Sequence, residues 1–445
     1  MSQTIQQFLR DHGISEVEAI IPDMAGVARG KIVPAEKYAE EEGMRMPESI
    51  FLQTVTGDYP DDDSSINPSE IDIVLKADVS TIRVVPWAAE PTAQVIHDCF
   101  YSDGRPVPMA PRYLLRRVMD LYAAHGWKAV VAPELEFFLV DPNIDPDYPL
   151  KPPIGRSGRP EIGRQSYSIA AVNEFDPLFD DVYAFCEAQN LDIDTLIHED
   201  GAAQMEINLL HGDPMELADQ AFLFKRTARE AALRHKMYTT FMAKPHAKEP
   251  GSAMHIHQSI VDKQTRKNIF SNPDGSPSQM FFSHIAGLQK YLPAAMSLFA
   301  PNVNSYRRIT RAALAPINVQ WGYDNRTAGL RVPVSGPEAR RVENRVGGAD
   351  ANPYLAIAAS LACGYLGMVE SIQPSEPITG SAHDLPFALP RNLDSALRRL
   401  GECEPLIEIL GEPFVAAFSI VKSAEYEVFL QVISSWEREH LLLNV

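Results

Sequence analysis

The 445-residue chain carries 59 acidic against 40 basic side chains, and its net charge of -19 speaks against a nucleic-acid backbone as partner and for small cations. Apolar content of 45% and charged content of 22% are those of a soluble globular enzyme, long enough for more than one domain. Four scattered cysteines (Cys99, Cys186, Cys363, Cys403) exclude a paired-cysteine zinc site. With no apolar signal segment in residues 1–13, they imply reduced thiols in a cytoplasmic protein.

Residues 5–12 read as a short helix, and 17–21 and 27–33 as strands joined by a turn at 22–26. Residues 71–75, 82–85 and 93–100 add short strands, which makes the first part a small mixed α+β unit. The acidic, turn-rich loop 57–65 between them reads as solvated surface. Proline-rich residues 105–111 mark a boundary, dividing the chain into domains of residues 1–107 and 108–445. A helix follows, with Pro111 in its first turn, apolar spacing through Leu114, Leu115, Val118, Met119 and Tyr122, and Gly126 as its stop.

Residues 130–139 form the next predicted strand, on which alternation puts Glu134 and Glu136 on one face. Two such carboxylates amid apolar residues call for a compensating divalent cation, or else for a solvated edge. The Pro- and Gly-dense loop 141–163 has the length of a segment that covers a site or meets a neighbour. In residues 198–209, Gly201 and the alanines suggest a turn across which Glu199 and Glu206 face each other. Residues 251–259 set His255 and His257 two apart on a strand, a pattern for metal or phosphate contact as well as for hydrogen-bonded core histidines. Residues 325–345 hold Arg326, Arg331, Arg340, Arg341, Arg345 and Glu343 among apolar neighbours, so the guanidinium groups need anions, either phosphates or salt-bridging carboxylates.

No phosphate-binding glycine loop occurs, so a nucleotide here would be held by arginines and metal. Residues 214–236 and 413–437 read as long helices, and the uncharged run 351–369 as a closely packed core helix rather than a membrane span. The glutamates, histidines and arginines together supply hard-cation sites and phosphate clamps, the requirements of phosphoryl transfer to a carboxylate. Mg²⁺ or Mn²⁺ suits this oxygen-rich set better than zinc.

In order and kind, these elements resemble the glutamine synthetases over almost the whole chain. The matching motifs are Pro-Glu-Leu-Glu-Phe-Phe-Leu at 133–139, the Glu199/Glu206 hairpin, Gly-Ser-Ala-Met-His-Ile-His-Gln-Ser at 251–259, Asn-Ser-Tyr-Arg-Arg at 304–308, Asn325-Arg326-x4-Arg331, and Arg-Arg-Val-Glu-Asn-Arg at 340–345. The resemblance implies an α+β fold: a small β-grasp-like N-terminal domain and a catalytic domain built on a curved antiparallel sheet with helices. It also implies a dodecamer of two hexameric rings, with active sites between neighbouring subunits. By the same resemblance Glu136, Glu199 and Glu206 hold one metal beside the acceptor carboxylate, and Glu134, His255 and Glu343 a second on the nucleotide phosphates. Gly251, Arg308 and Arg345 would bind glutamate, and His257, Ser259, Arg331 and Arg341 the nucleotide. Arg326, Arg331 and Arg308 would serve catalysis, in which ATP phosphorylates the glutamate γ-carboxylate and an amine displaces phosphate.

Departures from the family pattern set the expected acceptor. Ammonia-using members carry an acidic flap residue where this chain has Leu314, and an N-terminal aspartate where residues 51–57 have none before Asp58. Two missing carboxylates leave ammonium poorly bound and make room for a bulkier amine, and the C-terminal run 436–445 points the same way. The expected activity is that of the γ-glutamylpolyamine synthetase branch, in polyamine catabolism, with ammonia-dependent glutamine synthesis as the alternative. A non-catalytic protein on this fold is disfavoured because all six metal positions are filled. The acidic loop Asp58 to Asp63, with Asp61, Asp62 and Asp63, is expected to attract the distal ammonium of a polyamine, and Tyr167 and Asp58 are candidate bases. His383 replaces the tyrosine that related bacterial enzymes adenylylate, so that modification is chemically impossible here.

Overall fold

A computed structural model describes residues 5–40, 44–62, 64, 66, 69–161, 164–311 and 315–445. Leu314 and Asp63 therefore lie outside the described residues. The first sheet comprises β1 (Glu16–Pro22), β2 (Ala28–Pro34), β3 (Met44–Pro47), β4 (Asp72–Ala77), β5 (Arg83–Val84) and β6 (Thr92–Phe100), in the order β2-β1-β6-β4-β3 with β5 on β6. β1 and β6 run parallel and the other pairs antiparallel. Nearly every β6 residue is buried, which suits its run of Ala, Val, Ile and Cys to the centre of the sheet.

The second sheet comprises β7 (Trp127–Val140), β8 (Ile193–His198), β9 (Gln204–Leu209), β10 (Tyr238–Thr240), β11 (Met254–Asp262), β12 (Trp321–Tyr323), β13 (Leu330–Val332) and β14 (Val342–Asn344). Its order is β12-β13-β14-β11-β7-β9-β8, with β10 on β7, and it is antiparallel except for β12–β13. Buried Arg112, on the helix Pro111–Ala124, links the two parts: it donates to Asp78 (2.9 Å) and Asp98 (2.6 Å) beside the first sheet and to Asp219 (2.8 Å) on the helix Pro214–Arg234. Three carboxylates around one guanidinium use its donor fork on several sides at once.

Sequence patterning located most elements and missed some. β3 reads Met-Arg-Met-Pro, with no β-branched residue, and gave no strand signal. The expected strand at 82–85 shrinks to β5, where Arg83 and Val84 pair with β6. The expected helix at 413–437 ends at Leu430, and a separate helix, Ser435–His440, starts under a reciprocal Ser434–Glu437 cap.

The uncharged run forms the helix Pro353–Glu370, whose N-terminus is capped by the Asn352 side chain accepting from the Tyr354 and Leu355 N–H groups. By length and composition it is apolar enough to cross a membrane, but 83% of it is buried inside the fold. It packs on the helices Gln279–Tyr291 and Pro111–Ala124. Small residues allow that approach: a Cβ on Gly287 would lie 2.2 Å from the Cys363 carbonyl oxygen, and one on Gly367 2.1 Å from that of Ser283. Backbone cannot step aside as a flexible side chain does. Gly287→Ala is therefore expected to destabilise the protein by about 2 kcal/mol or more, measured by chemical denaturation.

Candidate active site

Residues opposite one another in a sheet share a face. In the second sheet the register sets Glu134 opposite His255 and Asn208, Glu136 opposite Glu206, and Glu343 opposite both His257 and Arg331. Five strands thus lay a continuous row of acids, imidazoles and a guanidinium across one face. Glu199 follows β8, and its N–H donates to the Gln204 carbonyl (2.8 Å) across the turn to β9, whose Ala203 has φ +56°.

The carboxylates of Glu136, Glu199 and Glu206 offer one oxygen each, all within 4.8 Å of one another. Burial, then the neighbouring carboxylates, push Glu136 up to about 8 and Glu206 up to about 9, and burial raises Glu199 against the pull of Arg326. Two buried acids and a partly buried one that repel one another are the donor set of a hard divalent cation, whose charge would relieve the repulsion.

Glu134 joins two further groups of the same compactness, one with His257 and Glu343 and one with Glu206 and His255. His255 Nδ1 lies 3.3 Å from Glu134 and 3.8 Å from Glu343, and its Nε2 lies 3.8 Å from Glu136. Burial and then the charge of Arg345 lower its pKa to about 4, which leaves the neutral imidazole a ligand needs. Burial alone would raise Glu134, but hydrogen bonds from His255 and His257 hold it well below its ordinary value. Burial would likewise raise Glu343, yet Arg345 and the two imidazoles bring it down to about 2. The tautomer of His257 follows from its partners. Arg341 Nε donates to its Nδ1 (3.0 Å), so Nε2 carries the proton and donates to Glu134 (2.8 Å).

The arginines divide by position. Arg331 donates to Glu343 (2.8 Å) and Asp324 (2.7 Å), and Arg345 donates to Glu343 while its Nε is buried without a partner. Arg308 is buried, donates to the Val346 and Arg345 carbonyls (2.9 and 3.1 Å), and is lowered by burial to about 10. Gly251 lies directly on it: a Cβ there would stand 2.6 Å from Arg308 Cγ. Arg326 is exposed.

Beside the row opens a cavity of about 550 Å³, lined by His257, Ser259 and Arg341, and also by Asp194, Asn208 and His211. The first three are residues expected from the resemblance to contact the nucleotide. Arg331, expected with them, pairs with Glu343 and Asp324. Asn208 was missed, although the alternation that delivers Glu206 delivers it two residues later. Asp194 and His211 stand among ordinary polar residues and carry no comparable signal. Tyr167 holds φ +61°, with its N–H on the His198 carbonyl (2.9 Å), so it flanks the Glu199 turn. Asp58 accepts from Thr56 (3.0 Å) within its own loop.

Residues 108–441 match the glutamine synthetase catalytic domain. The chain is 33% identical to gamma-glutamylputrescine synthetase of Escherichia coli, over 100% of this chain and 95% of that protein. It is 32% identical to glutamate–isopropylamine ligase from a Pseudomonas species, over 97% and 96%. Its structure superimposes on that of apo GmaS with a TM-score of 0.83 and 27% identity, covering 99% of this chain and 100% of the other. Matches that span the catalytic domain and run from end to end of both relatives leave one conclusion: the chain belongs to the glutamine synthetase family.

Proposed function

We propose that the protein is an ATP-dependent ligase that joins the γ-carboxylate of glutamate to a primary amine, with diamines and polyamines as the acceptor class. The observation that carries this reading is the cluster of Glu136, Glu199 and Glu206, continued along the same sheet face by Glu134 and His257, which line a cavity of about 550 Å³. Relatives named for putrescine and isopropylamine support an organic amine. Leu314 and Gln53, standing where ammonia enzymes place acids, support it too.

In this reading Glu136, Glu199 and Glu206 hold one Mg²⁺ or Mn²⁺, and Glu134, His255 and Glu343 a second. Bound there, the metals supply positive charge to the phosphates and to the acceptor carboxylate. Gly251, Arg308 and Arg345 hold glutamate, and His257, Ser259 and Arg341 hold ATP. Arg326 and Arg331 face the transferred phosphoryl group, where charge builds up in the transition state. A glutamate γ-oxygen takes the terminal phosphoryl group of ATP and releases ADP. The amine nitrogen then forms the new C–N bond, the C–O bond to phosphate breaks, and a base removes one proton from the nitrogen. Tyr167 and Asp58 are the proposed bases. The domains at residues 1–107 and 108–445, the double-ring dodecamer, the cytoplasmic location and the place in polyamine catabolism belong to the same proposal.

The test is phosphate release with ATP, Mg²⁺ and glutamate, comparing ammonium with diamines, polyamines and monoamines at equal concentration. Strong turnover with an organic amine and little with ammonium supports the proposal. Preference for ammonium would make the protein a glutamine synthetase in activity, and no turnover with any amine would favour a non-catalytic role. The acidic loop gives a finer check. Asp61→Asn combined with Asp62→Asn is expected to raise the KM of a polyamine severalfold, by about threefold to tenfold, and to leave that of a monoamine unchanged.

A further inference from the structure

The helix Pro214–Arg234 buries Lys225 along with most of its other residues. Among the described residues no ion pair joins it to a carboxylate. Its Nζ instead donates to the carbonyl oxygens of Ala349 (2.6 Å) and Ala351 (2.7 Å), and it lies 5.5 Å from the centre of the Phe241 ring. An ammonium group in such surroundings is costly to keep, and burial lowers its pKa to about 7. A methionine would fill the same space without that cost. The segment it grips explains why a lysine is there.

That segment, residues 345–351, is where the two arginines proposed for glutamate meet, Arg308 buried and Arg345 partly buried. Arg345 begins it. Arg308 donates to the carbonyls of Arg345 and Val346. Ala349 N–H donates to the Ser252 carbonyl (3.0 Å), next to Gly251, and the Gly347 carbonyl accepts from Met254 N–H (3.0 Å), next to His255. Asp350 accepts from Asn302 (2.8 Å) and Ser305 (2.6 Å), so it anchors the short helix Ser305–Arg308 that carries Arg308. One turn therefore fixes two guanidinium groups and the strand start that bears Gly251, and Lys225 holds that turn from behind.

We propose that Lys225 is a positioning residue for glutamate. Its two hydrogen bonds set the 345–351 turn, and through it the spacing of Arg308, Arg345 and Gly251. The inference rests on the ligase reading above. A carboxylate clamp is intolerant of small displacements, because two guanidinium forks must meet one anion together. The cavity proposed for the nucleotide is lined by none of residues 345–351.

The experiment is Lys225→Met, with Ser305→Ala as a milder cut in the same network, both assayed with the best amine found for the wild-type protein. Lys225→Met is expected to raise the glutamate KM by about tenfold or more, while the KM for ATP and the Kd for ADP with Mg²⁺ stay within about twofold of wild type. Ser305→Ala is expected to shift the glutamate KM the same way by a smaller factor. A lowered melting temperature with the glutamate KM unmoved in both variants overturns the inference and leaves Lys225 a structural residue. If Lys225→Met does not fold, Ser305→Ala decides alone, an unmoved glutamate KM again overturning it. Wild-type protein that releases no phosphate with glutamate and any amine overturns the ligase reading and this inference with it. Wild-type turnover with unmoved variants overturns this inference alone.

Discussion

Glu206→Gln is expected to lower kcat by about three orders of magnitude and at the same time to raise the melting temperature of the metal-free protein. Both effects come from one cause. Glu206 closes a triad with Glu136 and Glu199 whose oxygens lie within 4.8 Å of one another, and without a cation these crowded acids repel. Glutamine keeps the volume and removes the charge, so the cluster relaxes, and one carboxylate proposed to hold the divalent ion is lost.

The same repulsion fixes a pH dependence. The carboxyls of Glu136 and Glu206 rise from the ordinary 4.5 to about 8 and about 9 in the folded protein. Between 4.5 and those values the folded state keeps protons that the unfolded chain has released, so the metal-free protein loses stability as pH rises through that window. Melting curves in EDTA from pH 5 to pH 9 should fall, and saturating Mg²⁺ should flatten them, because binding favours the ionised cluster (about one proton released per carboxyl). A melting temperature in EDTA that does not change across this range would mean that the acids are already compensated inside the protein.

The second large effect is expected at Arg345. Its Nη1 group is held by Glu343, but its Nε is buried with no partner, and an N–H left bare in that position costs stability unless an anion arrives to take it. Arg345→Lys keeps the charge and loses the planar fork. The glutamate KM should rise by about a hundredfold, with ADP binding little changed, in steady-state kinetics and calorimetry. Parallel losses of glutamate and ADP affinity would instead assign Arg345 to the nucleotide phosphates.

How much of this was legible beforehand depends on the period of each element. Glu134, Glu136, His255 and His257 sit two apart on long strands, and a period of two is the simplest signal a sequence offers. The grouping of Glu343 with His257 was less visible, since β14 has three residues and its register is fixed only by pairing with β11 and β13. Asp194 and His211 enter the cavity from the ends of the β8–β9 hairpin, a matter of tertiary closure. Lys225 was invisible for a different reason. On a helix with Arg226 beside it, a lysine reads as surface charge, and only the returning turn at 345–351 shows that it is buried.

The helix Pro353–Glu370 has a consequence during translation. It is the one helix among the described residues apolar enough to be confused with a membrane span. Its main packing partners lie in residues 111–124, 214–234 and 279–291, all made before it. Nascent chains fold from the N-terminal side as they leave the ribosome. The groove that receives this segment is thus synthesised ahead of it, which shortens the time it spends as bare apolar surface open to aggregation or to the membrane-insertion machinery.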